Sequence, residues 1–219
     1  MTTQEKNGIT EGVIWKQLLI FFFPILVGSL FQQLYNTVDS VIVGQFVGKE
    51  ALSSVGGSAG QIISLVVGFF TGVSTGATVI ISQYFGAGKK EEIEESLHTA
   101  YAFALVGGLV LGIAGIVFAP QMLRWMNTPE ELIAESVLYV RVYFSGLIFI
   151  FIYNMGAAIL RAVGDSKRPL YYLIVCSVVN IILDLLLILV IPLGVLGAAI
   201  ATLIAQAVSA VLVTVTLMY

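Results

Sequence analysis

Long apolar runs alternate with short charged segments along the whole chain, and the runs are of helical length. A helix needs about 20 apolar residues to cross the hydrocarbon of a bilayer. Windows of that length place six spans at roughly 14–43, 53–82, 95–119, 133–158, 169–191 and 195–219. The runs exceed the ~9–11 residues of a membrane strand and lack its strict alternation. The expected fold is therefore all-α, with six transmembrane helices behind a short polar segment at 1–13. The first span is longer than one bilayer requires, so it should tilt or bend. Pro24 inside it removes a backbone donor and favours a kink there.

The polar residues inside these spans also follow helical spacing. In the first span they are Ser29, Gln32, Asn36 and Asp39; in the fifth Ser177, Asn180 and Asp184; in the sixth Thr202, Gln206 and Ser209. A charged side chain at the bilayer centre costs at least ~2.5–3.5 kcal/mol and usually marks an ion or substrate path. Asp184 lies 16 residues after Arg168, roughly 24 Å along a helix at 1.5 Å per residue. Asp39, Asp184 and Thr202 thus share one depth, which points to a common cavity inside a helix bundle. Such oxygen-rich faces suit hard cations and equally suit a proton relay. The competing reading of Asn180, Thr202 and Gln206 is interhelical hydrogen bonding.

The second span carries Ser64, Gly68, Thr71, Thr75, Thr78 and Ser82 on one face, with Gly72 and Gly76 beside them. Small residues let helices approach closely in lipid, so this stripe reads as packing first and cavity lining second. Arg141, inside the fourth span, is expected to snorkel outward or to pair with Glu135 or a carbonyl.

Composition sharpens this picture. The 219 residues are 58% hydrophobic and 11% charged, with mean hydropathy +1.01, whereas soluble domains carry about 25% charged residues. A net charge of −3 offers nothing to nucleic acid. The single cysteine, Cys176, reads as a structural apolar residue. One histidine, His98, leaves neither a zinc set nor a nucleophile–base pair within the spans, so enzyme chemistry is not expected. The charged run Gly86-Ala-Gly-Lys-Lys-Glu-Glu-Ile-Glu-Glu reads as a turn and a solvated helix start. With the amino terminus inside, Lys6, Lys16, Lys89, Lys90, Arg161, Lys167 and Arg168 fall on the inner side and Lys49 and Arg124 on the outer. That asymmetry places both termini in the cytoplasm of a multi-pass protein of the cell membrane.

Five segments, in order along the chain, resemble the multidrug and toxic compound extrusion (MATE) transporters. They are Pro24 with Phe31-Gln-Gln-Leu-Tyr-Asn-Thr-Val-Asp-Ser, then Gln83-Tyr-Phe-Gly-Ala-Gly, then Ile159-Leu-Arg-Ala-Val-Gly-Asp-Ser-Lys-Arg-Pro, then Asn180-Ile-Ile-Leu-Asp184, then Leu193-Gly-Val-Leu-Gly-Ala-Ala-Ile-Ala-Thr. The resemblance implies one six-helix lobe, the amino-terminal one, of a twelve-span antiporter. It implies that Asp39, Asn180, Asp184 and Thr202 form a cation-coupling site for Na⁺ or H⁺, and that Pro24 bends the first helix. Gln32, Asn36, Ser177 and Gln206 are expected to line the adjoining cavity. Small organic cations or amphiphilic drugs are the expected substrates, held against a second six-helix lobe (a missing half or a second copy), with no cofactor beyond the coupling ion. A lipid-linked oligosaccharide flippase is the nearest alternative. It calls for a basic cavity, and the predicted interior offers only Arg141. A non-transporting scaffold or remnant lobe is the other.

Overall fold

The computed structural model describes residues 13–218. Among these the backbone is helical almost throughout and no strand occurs. The elements are α1 (Ile14–Ile42), α2 (Lys49–Gly56), α3 (Ser58–Gly86), α4 (Lys90–Trp125), α5 (Glu130–Ser145), α6 (Leu147–Ala162), α7 (Lys167–Asp184) and α8 (Val195–Met218). Two π-helical turns, Val43–Val47 and Leu185–Val190, extend α1 and α7. Five stretches are long and apolar enough to cross a membrane, and α5 with α6 makes a sixth. The expectations for Lys6 and Tyr219 lie outside the described residues.

The fourth span departs from the single rod expected at 133–158. It is two helices bent by 49° at Gly146. The Gly146 N–H returns to the Tyr143 carbonyl at 3.1 Å, closing α5. A β-carbon at Gly146 would stand 3.0 Å from Leu203 Cγ on α8, so the joint is seated against that helix. Only Ser145 and Gly146 interrupt the apolar run at the joint, too short a break for a span-length hydropathy window to register.

Helix α6 is central and packs on α3, α4 and α8, while α1 lies at the margin against α7. The burial follows: ten residues of α6 are buried, against only Pro24 and Ile42 in α1. Helix α1 runs as one helix through Pro24.

The closest helix approach uses the glycines of α4. A β-carbon at Gly108 would lie 2.7 Å from Ile148 Cα, one at Gly112 2.9 Å from the Phe144 carbonyl oxygen, and one at Gly115 1.7 Å from Phe144 Cδ1. The small-residue stripe of α3 does something else. Added β-carbons at Gly68, Gly72 and Gly76 meet nothing within 4 Å. Thr71, Thr75 and Ser82 are exposed and turn their hydroxyls back to carbonyls of their own helix at 2.8, 2.9 and 2.9 Å. Only Ser74, which is buried, and Thr78, whose hydroxyl also reaches the Ala158 carbonyl at 3.3 Å, serve packing on that face. Thr71, Ser74, Thr75, Thr78 and Ser82 of this face line a cavity within the described residues.

Arg141 pairs with a carbonyl, and the reason lies in α4. Pro120 has no N–H to give the Ile116 carbonyl one turn back. Arg141 Nε donates to that freed oxygen at 3.2 Å.

Candidate functional site

Asp39 stands one turn before the π-helical turn that ends α1, and Asp184 immediately before the one that ends α7. π-helical turns arise where one residue too many is accommodated in a helix, and they recur at functional sites. Here the Gly48 N–H reaches the Val43 carbonyl and the Ile191 N–H the Leu186 carbonyl, both at 3.1 Å and both five residues back. The two turns pack against each other, so both carboxylates are presented beside the same irregular stretch of backbone.

Asp184 and Asn180 have no exposed surface and Thr202 is 5% exposed. The Asn180 amide, oriented to satisfy its neighbours, donates to Asp184 Oδ2 at 2.9 Å and accepts from the Thr202 N–H at 3.3 Å. Thr202 Oγ1 lies 3.4 Å from the same amide. The carboxyls of Asp39 and Asp184 are close enough to interact electrostatically. The structure thus brings Asp39, Asn180, Asp184 and Thr202 together from α1, α7 and α8.

Two oxygens in this group have no partner: Asp39 Oδ1 and Asp184 Oδ1 are both buried and unbonded. A carboxylate oxygen out of water and without a donor is costly. Two neighbouring carboxyls can be relieved by a shared proton or by a cation between them. Among the described residues no group of three or more His, Cys, Asp or Glu side chains converges. The available donors are carboxylate, amide and hydroxyl oxygens, a set for a hard cation or a proton rather than a soft metal.

Beside this group lies a cavity of about 440 Å³. Gln32, Ser177 and Gln206 line it; Asn36 is exposed on α1 and does not. Ser177 spends its hydroxyl on the Leu173 carbonyl at 2.8 Å. Cys176 is buried at the same wall, and Pro24 contributes to the lining from α1.

Sequence reasoning did not single out the tyrosines. Tyr35 and Tyr143 line the cavity and also lie within electrostatic range of Asp39, and Tyr35 is near Thr202. Tyr139, buried, stands one turn from Tyr143 with ring centroids 6.1 Å apart and is in range of both carboxyls. Tyr35 precedes Asp39 by four residues, so its place on the stripe was readable from spacing. The pair on α5 was not, because nothing local connects it to Asp39. Arg161 was assigned to a loop end; the structure places it half-buried in the last turn of α6, lining this cavity. Arg141, by contrast, is exposed, so of the two it is Arg161 that faces a cavity.

A family model described as MatE matches residues 24–186, from the proline of α1 to two residues past Asp184. The chain is 34% identical over 208 residues to a probable multidrug resistance protein YoeA of Bacillus subtilis (strain 168), covering 93% of this chain and 44% of that protein. It is 34% identical over 203 residues to the probable multidrug resistance protein YpnP of the same organism, covering 91% and 45%. A solved outward-facing multidrug resistance MATE family transporter superposes with a TM-score of 0.92 at 27% identity, over 99% of this chain and 48% of that one. The chain spans about half the length of the relatives it matches. A match that takes in both carboxylate-bearing helices, on a fold shared along nearly the whole chain, makes this multi-pass membrane protein a member of the MatE family.

Proposed function

We propose that the chain is the amino-terminal lobe of a multidrug efflux antiporter and carries its cation-coupling site at Asp39, Asn180, Asp184 and Thr202. The observation that carries the reading is that two neighbouring carboxyls, Asp39 and Asp184, each keep one buried oxygen, Oδ1, without a hydrogen-bond partner. The names of YoeA and YpnP support export of drugs. Small organic cations or amphiphilic drugs would be held between this lobe and a second six-helix lobe, in the cell membrane. The work is transport, not bond chemistry.

Entry of Na⁺ or H⁺ between the carboxyls removes the conflict of two acceptors facing each other in hydrocarbon, with Asn180 and Thr202 supplying neutral oxygens. The cation shifts an inward–outward equilibrium only by its difference in affinity for the two states. That difference arises if Asp39 approaches Asp184 in one state and withdraws in the other. Helix α1, the least buried of the long helices and lacking one backbone donor at Pro24, is the element suited to move.

The test is calorimetric titration of Na⁺ into the purified chain at two pH values. Saturable binding is expected to weaken at the lower pH, because protons occupy the same oxygens. Asp184→Asn removes one charged ligand and should weaken it by roughly tenfold or more. Binding unchanged in Asp184→Asn at both pH values would overturn the site assignment. No Na⁺ binding at either pH identifies the proton as the coupling ion, provided Asp184→Asn then reduces proton uptake after an acid pulse.

A further inference from the structure

Arg161 lines two cavities at once. One is the 440 Å³ cavity beside the tyrosines, and the other is a larger cavity of about 640 Å³ bounded by α1, α3 and α6. Among the described residues its guanidinium has neither an ion pair nor a hydrogen bond. The carboxylate nearest in sequence is already engaged: Asp165 Oδ2 pairs with Arg168 Nε at 3.2 Å, and Oδ1 accepts the N–H groups of Lys167 and Arg168 at 3.1 and 3.0 Å. The polar neighbours on α6 are also committed. Tyr153 donates its hydroxyl to the Pro169 carbonyl at 3.2 Å, and Asn154 its amide to the Ile150 carbonyl at 2.8 Å.

A half-buried guanidinium within a membrane lobe is costly while unpaired, and its planar fork matches carboxylate or phosphate oxygens two at a time. The larger cavity supplies what such an anion would be attached to. Leu18, Phe21, Ile25 and Phe85 form apolar walls, and the volume falls in the ~300–1,000 Å³ range of drug-sized sites. The hydroxyls of Thr71, Thr75 and Thr78 are spent on backbone carbonyls, so Arg161 is the charged donor this space offers. We propose that Arg161 and the cavity between α1, α3 and α6 form a site for an amphiphile carrying a carboxylate or phosphate, its apolar body along α1 and α3 and its anionic group on the guanidinium. This rests on the transporter reading and deepens it by assigning the recognition of an anionic group to Arg161. The carboxylate pair is a separate group, so either assignment can fail alone.

The experiment uses two probes with one apolar body, 1-naphthylacetate and 1-naphthylacetamide, titrated into the chain in a neutral maltoside detergent. The carboxylate is expected to bind roughly tenfold more tightly than the amide, as one charge-assisted contact provides. Arg161→Gln should bring the two affinities together, and Arg161→Lys should keep part of the preference. Thr75→Trp, at an exposed position of the larger cavity, should weaken both probes and tests the location without touching the arginine. Competition by phosphatidylglycerol but not phosphatidylcholine would identify a lipid headgroup as a natural occupant; competition by neither leaves the soluble carboxylate as the occupant. Equal binding of the two probes to the unaltered chain, or a preference that survives Arg161→Gln, would overturn the proposal. Thermal unfolding of Arg161→Gln in the same detergent reports whether the lobe is folded, and Na⁺ titration or proton uptake of the same variant reads the carboxylate pair independently.

Discussion

Gly68, Gly72 and Gly76 on α3 repeat every four residues, and Gly108, Gly112 and Gly115 on α4 at spacings of four and three. Both rows sit in apolar membrane helices, and on paper both are close-packing seams. A methyl group added to the α3 row meets open space, whereas one added to the α4 row meets backbone or an aromatic ring within 3 Å. The difference lies in the neighbours. The bend at Gly146 brings the end of α5 and the start of α6 onto α4, with Phe144 and Ile148 against the glycines. Along α3 the flanking hydroxyls of Thr71, Thr75 and Thr78 border the larger cavity instead. Small residues permit contact and equally permit a void; the partner helix decides which.

The contrast can be broken at single positions. Gly115→Ala carries the largest expected effect, since its methyl would overlap the Phe144 ring at 1.7 Å. Overpacking of a filled core costs about 1–3 kcal/mol and sometimes more, so the thermal unfolding midpoint in detergent should fall clearly, with Phe144→Leu recovering part of the loss. An unchanged midpoint would mean that α4 does not form this seam. Gly156→Ala should cost less, about 1 kcal/mol. Its methyl would meet the branch ends of Val213 at 2.6 and 2.9 Å, and Val213→Ala should restore the midpoint. Gly72→Ala is the smallest change and carries the opposite sign. With nothing within 4 Å, it should be neutral or stabilising by up to ~1 kcal/mol, the conformational cost of glycine in a helix. A loss as large as that of Gly115→Ala would show α3 to be a second seam.

The candidate site was legible to different depths. Asp39, Asn180, Asp184 and Thr202 stand out because ionisable and amide groups in apolar runs violate the local pattern at helical spacing. Their partners do not. Tyr139 and Tyr143 sit among apolar residues on α5 and look like ordinary core. Arg161 looks like a loop-end cation, since four residues later Asp165 offers an apparent counter-ion; only the observed pairing of Asp165 with Arg168 leaves Arg161 alone.

Helical spans, the polar stripes along them and the membrane setting were determined by the sequence itself. Each depends on residues within a few turns of one another, and the hydrocarbon requires every such segment to satisfy its own backbone. Which stripes meet was decided by the tertiary structure alone. The proximity of the two carboxyls, the wall of tyrosines, the bend at Gly146, the opposite uses of the α3 and α4 glycines and the exposure of Arg161 to two cavities all depend on how helices distant in the chain cross. A helix's own periodicity determines which residues share a face; the neighbour standing opposite determines what that face does.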